Sequence, residues 1–198
     1  MQDSASEAAH AASTIGYAYK ASLIGAAHRF ELTDAGLSWH LAGRSGAWGY
    51  ADIAAIRLSF RPVSMQAHRF RADLRHVDGG HLTILSTSWQ TAALMAPQDD
   101  GYRLFIRELH ARMKQAGSRA VLTGGLSQQM YMAALALVGL LAIAMLGLLV
   151  AALVTQQFAG AAFILGFAAL FAWQVGGFIR RNRPQAYTFD RLPNKLLP

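Results

Sequence analysis

The chain has 198 residues, 54% hydrophobic and 15% charged, with 18 basic against 11 acidic side chains, a net charge of +7 and no cysteine. Without thiols there are no disulfides, no thiolate metal sites and no cysteine nucleophile. The charges are also unevenly spread: sixty consecutive residues between Arg119 and Arg180 carry none, a gap foreign to soluble domains in which about a quarter of residues are charged.

In chain order, residues 1–15 are small, polar and alanine-rich, the composition of a loose tail. They have neither a basic n-region nor an apolar h-region, so the first apolar span is expected to act as the insertion signal. Residues 16–117 read as a folded domain. A strand is expected near Gly16 to Ser22. Phe30 and Leu32 alternate, a turn falls at Thr33-Asp34-Ala35-Gly36, and Leu37, Trp39 and Leu41 resume the alternation. Gly43 to Gly46 reads as a loop, and Ile56, Leu58 and Phe60 form a strand ended by Pro62.

The stretch HRFRADLRHVDGGHLTILS, His68 to Ser86, reads as a hairpin. Phe70, Ala72, Leu74 and His76 share one face, and Arg69, Arg71, Asp73 and Arg75 share the other. A three-residue loop, Asp78-Gly79-Gly80, would set His76 opposite Leu82 and Leu74 opposite Ile84, with Gly80 in a left-handed conformation. Leu82 and Ile84 then point inward, with Thr83, Leu85 and Thr87 opposite. That register puts His76 and His81 on opposite faces. His68 shares the face of His76, but about 26 Å away at 3.3 Å per strand residue. The three histidines therefore offer no common point for a metal, and no metal site is expected.

After Pro97, Tyr102, Phe105, Ile106, Leu109 and Met113 recur at helical spacing. Asp99 or Asp100 would cap this helix, Arg112 and Lys114 suit its C-terminal dipole, and Gly117 would end it. Residues 118–130, including TGGLSQQ from Thr123, read as a flexible linker, since the glycines lack the lysine and preceding strand of a nucleotide loop. Residues 131–179 follow as a two-helix transmembrane hairpin. Tyr131 to Val154 is a 24-residue apolar run and Phe158 to Ile179 one of 22, each enough to cross about 30 Å of hydrocarbon. Thr155-Gln156-Gln157 is too short to hold a domain between them. The tail, 180–198, is basic and apolar with no helical stripe. Its Tyr187, Phe189, Leu192, Leu196 and Leu197 suit an extended strap packed on the folded domain.

The residues FELTDAGLSW, GYADIAAIRLSFRP, the His68–Ser86 hairpin and YRLFIRELHARM, with the tail NRPQAYTFDRLPNKLLP, resemble a bacterial pleckstrin-homology-like protein with a two-pass membrane anchor. The resemblance covers most of Ala27 to Gly117. It implies an α+β fold: a small antiparallel PH-like β-sandwich or partly open barrel of seven strands, of which five and a sixth near Gly16 are legible, closed by one C-terminal helix. Members that bind phosphoinositides carry basic residues around the first hairpin loop. Here that loop is Thr33-Asp34-Ala35-Gly36, so inositol-lipid recognition is not implied.

Arg57, Arg61, Arg69, Arg71 and Arg75 could form a basic stripe on adjacent strands, contacting anionic headgroups or a partner. Arg180, Arg181 and Arg183 could do the same beside the second span. Residues 1–119 carry a net +3 and residues 180–198 a net +4, an excess that positive-inside topology and anionic lipid already explain. The arginines lack an interleaved series of stacking aromatics, so nucleic acid is not an expected partner. Arg69 is expected to face Trp89 as a cation–π pair. Asp34, Asp52, Asp73 and Asp78 read as turn-stabilising carboxylates. Gly139, Gly147, Ala162, Gly166, Ala172 and Gly176 are candidates for close helix packing, within the hairpin or in a homo-oligomer. With Gln174 as the polar residue near membrane depth and no proline in either span, a transporter is not indicated.

No nucleophile with its base, carboxylate pair or phosphate loop is recognisable. The expectation is a non-enzymatic inner-membrane protein, with neither catalytic residues nor a cofactor, whose cytoplasmic PH-like module binds a protein partner or anionic lipid headgroups. The alternative is an enzyme or nucleic-acid binder whose site forms only on oligomerisation. Basic residues flank the apolar pair on both sides and none lies in the turn, which places both termini in the cytoplasm. Reporter fusions at the C-terminus should be active only for a cytoplasmic reporter; activity of a periplasmic one would reverse the orientation.

Overall fold

The computed structural model describes residues 15–62, 68–91 and 94–198. Apart from Ile15, the N-terminal tail lies outside the described residues. The fold is α+β. Its compact units are residues up to Gly124 together with Ala186–Pro198, and Gly125–Gln185.

In the first unit, β1 (Ile15–Tyr19), β2 (His28–Leu32), β3 (Leu37–Leu41) and β4 (Arg44–Trp48) form an antiparallel meander. The expected loop at Gly43–Gly46 is corrected: the chain turns at Ala42-Gly43, and Arg44 already pairs with Leu41. Gly46 belongs in a strand here because the Trp39 indole lies against it, where a Cβ would collide with the ring. Phe30, Leu32 and Leu37 are completely buried, as their alternation requires.

A second sheet has the order β11-β10-β5-β6-β7, from β5 (Ile53–Pro62), β6 (His68–His76), β7 (His81–Leu85), β10 (Val121–Gly124) and β11 (Gln185–Ala186). β5 pairs antiparallel with β6 along its length, Ile56 opposite Leu74, Leu58 opposite Ala72 and Phe60 opposite Phe70. A bulge between Ile53 and Ala55 resets the alternation, so that Ile53 and Ile56, three residues apart, are both buried. The β6–β7 register differs from expectation. Leu74 faces Leu82, Ala72 faces Ile84, and the His76 amide donates to the Gly80 carbonyl, so the three-residue loop is Val77-Asp78-Gly79. Gly79, not Gly80, takes positive φ. Both registers keep apolar opposite apolar; the observed one leaves Gly80 under the Trp48 ring, which packs 5.0 Å from His76. His81 faces Arg75 and therefore lies on the opposite face from His76.

β8 (Thr87–Thr91) and β9 (Leu94–Pro97) form a further hairpin that the pattern did not reveal. The inward face changes at Ser86, whose hydroxyl accepts from the Phe70 amide, and Ser86 and Thr87 are both buried. Tyr17 and Tyr19 fix the two sheets to each other: their hydroxyls donate to the carbonyls of Leu85 and Thr83, each at 2.6 Å.

Helix α1 (Asp99–Gln115) buries Tyr102, Phe105, Ile106, Leu109 and Met113 completely. Phe105 packs on Tyr17 and Phe30, closing the core over β1 and β2. Its N-cap is Gln98 without a side-chain cap bond; Asp99 and Asp100 lie inside the first turn, where they complement the helix dipole instead of capping. Gly117, at φ +68°, ends the helix in a Schellman arrangement, with Ser118 donating to Met113 and Gly117 to Lys114. The stretch 118–130 is not a continuous linker. It holds β10, which runs parallel to β5 with Thr123 beside Arg57, and three residues of the next helix.

The second unit contains α2 (Gln128–Val154) and α3 (Phe158–Arg181), both long and apolar enough to cross a membrane. They turn back through Thr155–Gln157, with Gln156 at positive φ. Gly125 lies against the carbonyls of Asn182 and Arg183, and Leu126 donates to Asn182, so both ends of the hairpin meet on one side. Val138, Leu141, Met145 and Leu149 of α2, and Ala161, Ile164, Ala168, Phe171 and Val175 of α3, are less exposed than their neighbours. Steps of three and four describe a left-handed seam. Gly139, Gly147, Gly166 and Gly176 have open space where a Cβ would stand, and Ala162 is exposed. Ala172 and Gly176 line the groove between the two helices.

The C-terminal residues pack on the first unit. The Tyr187 amide donates to Leu122, Leu196 is completely buried and Leu197 nearly so. Lys114 pairs with Asp190, and Arg103 donates to the Pro198 carbonyl. Fully buried His110 joins this strap to α1. Its Nδ1–H donates to the Ile106 carbonyl (2.7 Å), leaving Nε2 to accept from the Tyr187 hydroxyl (3.0 Å).

Burial pushes the His110 pKa below the ordinary histidine value, so the unfolded chain binds the proton more readily. That contribution to stability is complete above about pH 6.5 and is lost as pH falls below it. Thermal denaturation in detergent should show stability declining on acidification, with a shallower slope in His110→Gln. Tyr187→Phe, which leaves Nε2 unsatisfied, should cost about 1–2 kcal/mol at neutral pH.

Candidate functional site

On the outer face of the second sheet the strand period of two collects polar side chains. β5 contributes Arg57 and Arg61, and β6 contributes Arg69, Arg71, Asp73 and Arg75. Arg57 stands opposite Asp73, and Arg61 opposite Arg69. Arg57, Arg61, Arg71 and Arg75 line one cleft of about 370 Å³ together with Asp73, His81 and Thr123. The sequence assigned these arginines to one stripe; the structure gives four of them a common concavity.

The fifth, Arg69, stands apart. Its Nε donates to Thr87 Oγ1 at 2.9 Å and a terminal nitrogen reaches Met95 Sδ at 2.8 Å. This corrects the expected cation–π pair with Trp89, because the Ser86 reversal brings Thr87 to Arg69 and places Trp89 on the β8–β9 hairpin. Burial lowers the Arg69 pKa, reinforced by Arg61 and Arg71 and opposed by Tyr19. Arg180, Arg181 and Arg183 are exposed at and beyond the end of α3 and do not line the cleft.

Asp73 is the cleft's organising acid, a role that sequence reasoning missed by reading it as a turn carboxylate. It stands in the middle of β6. Arg71 Nε donates to both its oxygens at 2.8 Å and a terminal nitrogen approaches to 2.6 Å. Thr83 Oγ1 donates at 2.9 Å, and His81 Nε2 lies 3.5 Å away. Asp73 thus saturates one arginine. Among the described residues Arg57, Arg61 and Arg75 have no carboxylate partner. The available signal was the alternation Arg71-x-Asp73-x-Arg75, which puts an acid between two bases on one face. Thr123 carried no such signal, since it reaches the cleft only through the parallel pairing of β10.

His76, by contrast, is engaged by Trp48 and by the Asp78 amide and carboxylate. Among the described residues no group of three His, Cys, Asp or Glu is placed to hold a metal. A larger groove, about 440 Å³ between α2 and α3, is lined by hydrocarbon side chains and offers no polar chemistry. Comparison with protein-family models, with curated proteins and with solved structures finds no match to this chain.

Facing like charges destabilise a sheet by a few tenths to about 1 kcal/mol. Arg61→Gln should therefore raise the thermal stability of the detergent-solubilised protein by about that amount. Asp73→Asn, which weakens the hold on Arg71 and adds to the positive excess, should lower it by about 1–2 kcal/mol. Thermal denaturation of both variants against wild type checks the opposite signs.

Proposed function

We propose that this chain is a non-enzymatic module of the bacterial inner membrane, anchored by its two apolar helices with both termini cytoplasmic, whose PH-like domain engages anionic lipid headgroups. The observation that carries the reading is the cleft in which, among the described residues, Arg57, Arg61 and Arg75 lack carboxylate partners. Three cations grouped on one sheet face cost self-repulsion, which an anion would relieve.

Other features support it. The four-stranded meander β1–β4, the antiparallel run β5-β6-β7 and the packed helix α1 support the PH-like reading, to which β8–β11 are additions. Only Gly125–Ser127 separate β10 from α2, and only Asn182–Pro184 separate α3 from β11. Linkers of three residues reach about 11 Å at most, so an anchored domain meets headgroups at high effective concentration. A weak, charge-driven site is sufficient under that confinement, which favours headgroups over a freely diffusing protein partner.

Full-length protein in nanodiscs tests the reading. Anionic lipid added to phosphatidylcholine should raise the unfolding temperature, because a ligand of the native state stabilises it. The gain should disappear in 0.5 M salt, on the order of a 4 Å screening length, and in the variant carrying Arg57→Gln, Arg61→Gln and Arg75→Gln. An equal gain in that variant would assign the stabilisation to the apolar helices and overturn the role of the cleft.

A further inference from the structure

Resting on the headgroup reading above, we infer that the cleft is built for a phosphomonoester, a terminal phosphate with three free oxygens, presented by a lipid. The cleft holds four guanidiniums and one carboxylate. Asp73 is already occupied by Arg71, Thr83 and His81, so it is spoken for as an acceptor and neutralises one arginine only. Three positive charges remain. A phosphodiester headgroup brings one negative charge and two free oxygens, leaving most of this excess uncompensated. A phosphomonoester brings about −1.5 to −2 at neutral pH and a third oxygen.

The choice of base agrees with this. Of the 18 basic residues only Lys20, Lys114 and Lys195 are lysines, and none lines the cleft. Arginine offers a planar fork of donors that grips two phosphate oxygens at once, where lysine acts as a point charge. Thr123, directly beside Arg57 on β10, adds a hydroxyl at the rim. Asp73 acts here as a positioning residue: it holds Arg71 down on the sheet and leaves the neighbouring guanidiniums for the ligand.

The test uses the full chain in nanodiscs and the rate at which a neutral dicarbonyl reagent modifies each arginine, read by peptide mass spectrometry. Discs contain phosphatidylcholine alone, with phosphatidylglycerol, or with phosphatidic acid at equal total charge; a fourth arm adds inorganic phosphate to phosphatidylcholine discs. Phosphatidic acid should slow modification of Arg57, Arg61 and Arg75 by about fivefold or more, and phosphatidylglycerol by less than about twofold. Exposed Arg44, on β4, should be unchanged throughout. Replacing Arg57 and Arg61 by lysine keeps the charge but should erase the difference between the two lipids at Arg75. Equal protection by both lipids in the wild type would leave a headgroup site standing and overturn the monoester. Protection by neither would overturn both readings. Protection by inorganic phosphate at micromolar concentration would assign the site to a soluble phosphate and overturn the lipid source.

Discussion

The nine-residue pairing of β5 with β6 is the constraint on which the rest of the structure depends. Because side chains alternate, one register creates two surfaces at once. Ile56, Leu58 and Phe60 meet Leu74, Ala72 and Phe70 inside, and the same pairing sets Arg57 against Asp73 and Arg61 against Arg69 outside. The buried face specifies the register, since a one-residue slip would turn every core side chain outward. The arginines inherit their positions from the core and cannot be rearranged without unfolding it.

A chain that puts Arg61 opposite Arg69 accepts repulsion that a glutamine would relieve. Local choices usually agree with the global fold, and sites where they conflict are where function is expected. Asp73 limits the conflict. Placed between Arg71 and Arg75, it ties down one guanidinium and leaves a smaller, defined excess, which is what distinguishes a built cleft from a merely basic sheet face.

The second organising feature is the return of the chain after α3. β10 adds to β5 in parallel, and the strap from Ala186 to Pro198 then crosses to α1, joined through the His110–Tyr187 hydrogen bond, with Leu196 buried. The residues between β10 and the strap are the apolar hairpin, so the folded domain is completed by chain from both sides of it. An α1 that covers the core on one face and carries a buried histidine toward the strap makes domain stability and strap attachment one cooperative problem.

Sequence alone determined the features that depend on local period and composition. Strand alternation in β2, β5 and β6, the helical stripe of α1, its stop at Gly117 and the charge-free pair of long helices all follow from side-chain spacing, which the backbone geometry converts directly into faces. It also assigned the arginines to one side of the β5–β6 pair. Tertiary structure decided what depends on partners distant in the chain. Trp48 and Gly80 select the hairpin register, Ser86 reverses the inward face, and β10 is a strand because β5 and β11 are there to pair with it. Gly139, Gly147 and Gly166 lie off the seam between α2 and α3, because larger residues spaced three and four apart fill it, whereas Gly176 lines it. Asp73 looked like a turn acid until pairing placed it among arginines, and Tyr187 was one of five aperiodic apolar residues until His110 gave it an acceptor. Each of these outcomes is set by a contact between residues that no local window contains.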